Sequence, residues 1–102
     1  MVKSLTVTTT CDYGNRFVWY IVDKLSLIES EVIIERMRGR TANAKSVIGV
    51  LSLGILAGEE IYVYVMNDNE NLLNRDLEKV KKILGWKLWR KFVKIYRNFA
   101  MR

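Results

Sequence analysis

The stretch that decides the fold runs from Asn43 to Gly54 and reads NAKSVIGVLSLG. Ser46 stands where a serine hydroxyl can cap the first turn of a helix. Gly54 can take a positive φ and end that helix. The stretch therefore predicts a short helix between these two residues, and its apolar positions are Val47, Ile48, Val50, Leu51 and Leu53.

A strand pattern and a helix pattern begin the chain. In residues 5–10 (LTVTTT), Leu5, Val7 and Thr9 alternate with three further threonines, which is the β-branched pattern of a strand with one buried face. From Arg16 to about Ile28, apolar residues recur at helical spacing, and residues 29–30 are expected to end that helix. The predicted apolar stripe of the helix comprises Phe17, Val18, Ile21, Val22, Leu25 and Ile28.

A hairpin pattern leads into the short helix. Residues 32–34 (VII) begin a second strand, and residues 36–40 (RMRGR) read as a hairpin turn in which Gly39 is free to take φ > 0. Residues 41–42 are a short returning strand. The short helix at Ser46 then follows the hairpin directly.

The last strand and helix complete the order of elements. Residues 60–66 (EIYVYVM) form the strongest strand pattern in the chain. Residues 67–69 then turn into a helix whose apolar stripe is Leu72, Leu73, Leu77, Val80, Ile83 and Leu84. The order βαββαβα suits an α+β fold with helices packed on one face of an antiparallel sheet.

Residues 43–54 resemble the segment that follows the central hairpin in the HPr family, the histidine-containing phosphocarriers of the bacterial sugar phosphotransferase system (PTS). The resemblance extends over residues 3–84 and implies an HPr-like open-faced β-sandwich, with protein partners and no cofactor. We therefore expect an HPr-like domain at residues 1–84 and a C-terminal segment at residues 85–102. The positions that match the family are Asn43, Lys45, Ser46, Gly49, Ser52, Leu53 and Gly54.

The family's active-site stretch, G-L-H-A-R-P-A, falls over residues 12–18 (DYGNRFV). Aligning Arg16 with the motif's arginine puts Gly14 in place of the histidine, and a slip of one residue puts Asn15 there. The sequence has no histidine at all. Neither replacement offers the imidazole that forms a labile phosphoramidate, so phosphocarrier activity is not expected. Arg16 is interpreted either as a side chain that can attract an anion near a helix N-terminus or as a solvated surface arginine.

Ser46 has two readings. Capping alone justifies a serine at this position. The resemblance implies that it corresponds to the family's regulatory serine, which a dedicated kinase phosphorylates in many Gram-positive bacteria. Some catabolite-regulating HPr-like proteins lack the histidine and keep this serine. The docking surface that the family implies here comprises Lys45, Val47, Ile48 and Leu51.

All of the excess charge lies in the C-terminal segment. Residues 1–84 hold eleven Lys and Arg and eleven Asp and Glu, whereas residues 85–102 hold six basic residues and no acid. On a helix the basic residues take one half and the apolar residues the other. That apolar half is expected to bury itself in a protein contact, foremost a homodimer, through Trp86, Trp89, Phe92, Val93, Tyr96 and Phe99.

Two other environments could bury the apolar half of the C-terminal segment. A membrane interface ranks second, because lysine and arginine opposite tryptophan and phenylalanine are typical of interfacial helices. Nucleic acid ranks third, since the aromatic residues are segregated from the charges rather than interleaved with them. Packing on its own domain ranks with the dimer as the first choice.

The sequence as a whole points to a bacterial regulatory protein that docks onto other proteins, with Ser46 as a candidate phosphoserine. The alternative is a structural protein whose C-terminal segment drives assembly or membrane-surface binding. No catalytic constellation indicates an enzyme. With a single cysteine, Cys11, and no histidine, neither a metal site nor an intramolecular disulfide is expected, and a reduced cytoplasmic setting is the default.

Overall fold

The structure is a computed structural model, and it describes residues 1–9, 11–37 and 39–84. The predicted helix over residues 85–102, its interface and its dimer lie outside the described residues. The described elements follow the predicted order. Their bounds are β1 Val2–Thr8, α1 Asn15–Leu25, β2 Glu31–Arg36, β3 Arg40–Asn43, α2 Val47–Leu53, β4 Glu60–Met66 and α3 Glu70–Leu84.

The four strands form one antiparallel sheet in the order β1-β4-β2-β3. One face of the sheet supplies buried side chains to the core, and the helices pack against that face. This confirms the α+β open-faced sandwich. The strand residues that are buried on this face are Leu5, Val7, Val32, Ile34, Ile61, Val63 and Val65.

Helix α1 begins one residue before its predicted start and ends earlier than predicted, at Leu25 rather than near Ile28. The hydroxyl of Ser26 donates to the carbonyl of Val22 at 2.7 Å. The backbone N–H of Ile28 then donates to the carbonyl three residues back, at 3.0 Å, so the chain leaves the helix in a tighter turn. Ile28 is still buried, so the predicted apolar stripe reaches beyond the helix itself.

The hairpin and the strand β4 are as predicted. Gly39 has φ 75°, the left-handed conformation that the turn needs. Strand β3 extends one residue beyond the predicted pair at each end, and β4 has the predicted bounds.

Helix α3 is capped by Asn69, whose side-chain oxygen accepts from the N–H of Leu72 at 3.1 Å. Its stripe is buried at Leu73, Val80 and Leu84 and partly exposed at the other predicted positions. The carboxylate of Asp76 on the same helix is fully buried, which the apolar pattern alone did not predict.

Ser30 holds Asp76 in place. Its backbone N–H and hydroxyl donate to one carboxylate oxygen at 3.0 and 2.6 Å, and the amide of Asn67 donates to the Ser30 hydroxyl at 3.0 Å. Burial raises the pKa of Asp76, but the Ser30 hydrogen bonds and the nearby Arg75 guanidinium outweigh it and hold the pKa below its ordinary value. This network ties α3 to the start of β2 and the end of β4.

Candidate docking and phosphorylation site

Ser46 is the N-cap of α2. Its backbone is extended, with φ −113° and ψ 116°, and its hydroxyl oxygen accepts from the backbone N–H of Gly49 at 3.1 Å. Its own carbonyl accepts from the N–H of Val50 at 3.0 Å, which begins the helical hydrogen bonds. The predicted cap is therefore confirmed, with the side chain half-buried.

Gly49 leaves the space that the Ser46 side chain occupies. A Cβ built on Gly49 would lie 3.2 Å from the Ser46 hydroxyl oxygen, which is closer than ordinary contact. The first turn of α2 carries no acidic residue. A negative charge on Ser46 would therefore meet the positive end of the helix dipole without a carboxylate beside it.

The four residues of the predicted docking surface differ in what they offer to a partner. Ile48 is 81% exposed, whereas Val47 and Leu51 are half-buried against the core. The ammonium of Lys45 donates to the carbonyl of Ile28 at 2.5 Å, so this side chain reaches back to the turn after α1. Ile48 is thus the residue of the surface that projects most freely.

The loop over which the resemblance places the family's active-site stretch leads into α1. Gly14 is the N-cap, with φ −93° and ψ −172°, and it makes no side-chain cap. Its carbonyl accepts from the N–H of Val18 at 2.9 Å. Arg16 is exposed in the first turn, which is compatible with both of its readings, and Asn15 is the first helical residue.

This loop is tied to the chain that follows α2. The N–H of Tyr13 donates to the carbonyl of Ile55 at 2.9 Å, and the N–H of Ala57 donates to the Asp12 carboxylate at 2.8 Å. Tyr13 is buried, with its ring centroid 4.9 Å from that of Phe17. Burial, with a smaller effect from Cys11, raises the pKa of Tyr13 above its ordinary value, so the phenol stays neutral.

The C-terminal end of α2 is held by two arginines. Gly54 takes φ 64° there, and the Arg36 guanidinium donates to the carbonyl of Leu53 at 2.8 Å. Arg40 donates to the carbonyl of Ser52 at 2.8 Å. Arg36 also pairs with Glu59 at 2.6 Å, so α2 is fixed between β2 and the start of β4.

With this geometry in place, comparison with known families gives one assignment. A family model described as the PTS HPr component phosphorylation site matches residues 2–82. The chain belongs to the HPr family. Membership supports a PTS-related phosphocarrier or regulatory role with protein partners.

Solved structures of HPr-family proteins have the same fold. The phosphocarrier protein HPr of Bacillus anthracis is 26% identical with a TM-score of 0.63, and the match covers 72% of this chain and 90% of that protein. The histidine-containing phosphocarrier of Mycoplasma is 19% identical with a TM-score of 0.63, and the match covers 85% and 94%. At that identity the Mycoplasma protein shows the fold alone.

A third HPr-family structure is the catabolite-repression protein Crh of Bacillus subtilis. It is 26% identical with a TM-score of 0.58, and the match covers 76% of this chain and 83% of that protein. That structure is described as a domain-swapped, intertwined dimer. These similar proteins are two phosphocarriers and a catabolite-repression protein.

The HPr-family surface of this chain contains two exposed apolar residues that sequence reasoning missed. Trp19 is 63% exposed on α1, the helix that packs against α2, and Leu56 is 55% exposed in the loop after α2. A signal was present for Trp19, since this large aromatic lies outside the apolar stripe of α1. A bulky apolar residue off the stripe of an amphipathic helix is expected to face solvent.

Residues 1–9, 11–37 and 39–84 contain neither a candidate metal-binding cluster nor a candidate membrane-spanning helix. No group of three His, Cys, Asp or Glu side chains in this part of the chain is placed to hold a metal ion. None of its helices combines the length and the hydropathy needed to cross a membrane.

Proposed function

We propose that this HPr-family chain is a regulatory docking module rather than a phosphocarrier, and that phosphorylation of Ser46 controls its binding to proteins of the PTS. One observation carries the proposal. The sequence has no histidine, yet Ser46 caps α2 beside an isoleucine that is 81% exposed.

The loss of phosphocarrier activity follows from the side chains at the N-terminus of α1. Gly14 has no side chain, and the amide of Asn15 is not a nucleophile that takes a phosphoryl group. Incubation with enzyme I and phosphoenolpyruvate is expected to leave the chain unlabelled, with Bacillus HPr as the positive control. Acid-labile phosphate on this chain would overturn this part of the proposal.

The geometry of the cap supports phosphorylation of Ser46. The serine oxygen would attack the γ-phosphorus of ATP, lose its proton and release ADP. The resulting phosphate carries about −1.5 to −2 charge and can accept hydrogen bonds at the end of α2. Since Lys45 lies next in sequence and no acid lies in the first turn, the modification need not disrupt the helix.

Ser52 provides a matched control for the kinase experiment. It lies on the same helix, is exposed, and donates its hydroxyl to the carbonyl of Gly49 at 2.6 Å. With an HPr kinase from a Gram-positive bacterium and ATP, the wild-type chain is expected to gain the mass of one phosphate. Ser52→Ala should gain it as well, and Ser46→Ala should not. A gain that persists in Ser46→Ala contradicts regulation through Ser46.

Docking can be tested through Ile48, with Leu27 as its control. Ile48 is 81% exposed on α2, and Leu27 is 80% exposed in the turn after α1. We expect Ile48→Glu to weaken binding to the kinase by about tenfold or more, the cost of removing a central apolar contact, while Leu27→Glu has little effect. Equal losses in the two variants, measured by calorimetry, would show that the partner does not use α2.

A second candidate function is assembly, by oligomerisation or at a membrane surface, through the C-terminal segment. The separation of six basic residues from the aromatic residues in residues 85–102 favours it. Under this alternative, residues 1–84 are an independent domain that supports the segment. Partners that are indifferent to Ser46→Asp and lost when residues 85–102 are removed would favour assembly over docking.

A further inference from the structure

The sheet has a second face, which points away from the described helices. Along β4, Tyr62 and Tyr64 alternate with buried Ile61, Val63 and Val65, and Tyr62 is 38% exposed. Pairing places the side chains of this face in rows across the strands. We call it the open face, and its rows are Val2–Met66–Glu31, Ser4–Tyr64–Ile33–Asn43, Thr6–Tyr62–Glu35–Thr41 and Thr8–Glu60.

The open face combines aromatic rings with negative charge. The hydroxyl of Tyr64 donates to the Glu35 carboxylate at 2.6 Å, and that of Tyr62 donates to Glu60 at 3.3 Å. Glu31 adds a third carboxylate to the face.

The cations of the described strands lie on the opposite side of the sheet. Lys3 donates to the side chain of Asn74 on α3, while Arg36 and Arg40 donate to carbonyls of α2. In the described parts of the strands the open face therefore carries acids without a lysine or arginine.

The C-terminal segment has the complementary composition. Residues 85–102 contain Lys87, Arg90, Lys91, Lys94, Arg97 and Arg102 and no acid. We propose that residues 85–102 pack across the open face of the same chain, as a helix whose aromatic side lies against Tyr62 and Tyr64. Its flanking cations would meet Glu31, Glu35 and Glu60.

The end of α3 is placed for this contact. Asn74 lies beside Lys3 at the start of β1, and α3 continues for ten residues to Leu84, about 15 Å along the helix axis. The five residue-to-residue steps from Lys3 to Thr8 span about 17 Å of strand. Because α3 contacts β1 and β4 and the two lengths match, we infer that its last turn lies near the end of β1, an edge strand of the described sheet. The chain can therefore pass around this edge to the open face.

The length of the segment fits the sheet. If about four of the eighteen residues beyond Leu84 turn around the edge, the remaining fourteen make a helix of about 21 Å. The seven residues of β4 span about 23 Å. A single helix can thus cover the central strand and its tyrosines from end to end.

A contact within the chain is favoured over one between chains. A segment joined to its site has an effective concentration in the millimolar range, so it occupies its own sheet before that of a dilute second copy. Uncovered, its aromatic side would exceed the apolar patches that a soluble monomer exposes. Packing on the open face excludes assembly through the C-terminal segment, because assembly would use the same aromatic side for a contact with another chain.

The direct test uses the full chain in solution, with nuclear Overhauser effects between aromatic rings. In a sample that sedimentation shows to be monomeric, we expect cross-peaks from the rings of Tyr62 and Tyr64 to that of Trp89. Where the chain is dimeric, mixed labelled and unlabelled samples separate contacts within a chain from contacts between chains. Absence of the cross-peaks, or their appearance only between chains, overturns the proposal.

Charge reversal supplies a second test with a matched control. In a Trp19→Phe background, fluorescence comes from Trp86 and Trp89 alone. Glu31→Lys with Glu60→Lys is expected to shift their emission to the red and to raise acrylamide quenching toward that of a free tryptophan derivative. Asp23→Lys with Asp68→Lys adds the same charge at exposed positions off the open face and should change neither.

Circular dichroism must show that both charge-reversal variants are folded. Equal quenching in the two then overturns the proposal. Emission of the unmodified segment that shifts to the blue only on adding anionic vesicles also overturns it, because the segment would then be exposed until it meets a membrane.

Discussion

Asp76 is a charged residue within the buried side of α3. It lies three positions after Leu73 and four before Val80, both of them buried, so helical geometry places it on the buried side of α3. The sequence contains that signal, because a carboxylate within an apolar stripe needs hydrogen-bond partners when it is buried. Its partner Ser30 lies 46 positions away, and no local pattern links the two.

The first prediction concerns Asp76→Ala. It leaves the buried N–H and hydroxyl of Ser30 without their acceptor, which is expected to lower the free energy of unfolding by about 2–3 kcal/mol. Glu78→Ala on the exposed side of the same helix should change it by no more than about 0.5 kcal/mol. Urea unfolding of both variants measures the difference, and equal stabilities would show that the buried network contributes nothing.

The same carboxylate makes stability depend on pH. The folded-state pKa of Asp76 lies below its unfolded value of about 3.9, so its stabilisation is complete well above that pH and is lost as pH falls through the folded pKa. The stability difference between wild type and Asp76→Asn should therefore shrink below about pH 4. A difference that stays constant from neutral pH to pH 3 would contradict the assigned role.

A second residue-scale prediction concerns Gly14. It has a φ of −93°, and a Cβ built there meets no atom within 4 Å, so Gly14→His should fold with nearly unchanged melting temperature. Gly54→Ala is the comparison, because φ 64° costs an ordinary residue about 1–2 kcal/mol. Equal destabilisation of the two variants in thermal melts would mean that the loop at Gly14 cannot accommodate a side chain.

At the scale of elements, local signals predicted α2 and long-range contacts set the end of α1. Ser46 and Gly54 specify both ends of α2 through their own side chain and backbone, so the sequence was sufficient there. Helix α1 has no comparable stop signal, and its apolar stripe runs on through Ile28 in a turn. The surroundings of Trp19 and the hydrogen bond from Arg36 to α2 depend on which elements are in contact. The spacing of residues along one segment does not reveal such contacts.

We expect Ser46 to stabilise the fold as the cap of α2, and this role is separate from its phosphorylation. Ser46→Ala should destabilise the protein by about 1 kcal/mol, because the N–H of Gly49 loses its cap. Ser46→Asp should recover most of that loss, since a carboxylate both caps and favours the helix dipole. Thermal melts at neutral pH decide this, and an aspartate variant less stable than the alanine variant would argue against phosphate at this position.

At the scale of the whole molecule, the charges of the domain and of the C-terminal segment differ sharply. A chain that ends at Leu84 holds eleven basic and eleven acidic residues, while the full chain has a net charge of +6. We expect the shortened chain to fold, since the buried core lies within it, and to be least soluble near pH 7. The full chain should show no such minimum near neutrality.

Precipitation at graded pH measures this solubility, with cooperative urea unfolding as the check that the shortened chain is folded. A shortened chain that is as soluble as the full chain at pH 7 would show that the C-terminal segment has no part in keeping the protein in solution. Failure of the shortened chain to unfold cooperatively would contradict an independent domain at residues 1–84.

The order of the strands has a consequence for synthesis on the ribosome. Strand β1 is made before β4, its partner among the described strands, so Thr8 waits for Glu60 some fifty residues later. The hairpin of β2 and β3 closes locally and can form long before. Throughout that interval β1 is an unpaired, half-apolar strand, the kind of segment that chaperones bind. A ribosome stalled before Glu60 should therefore hold a chain that cannot yet complete its sheet.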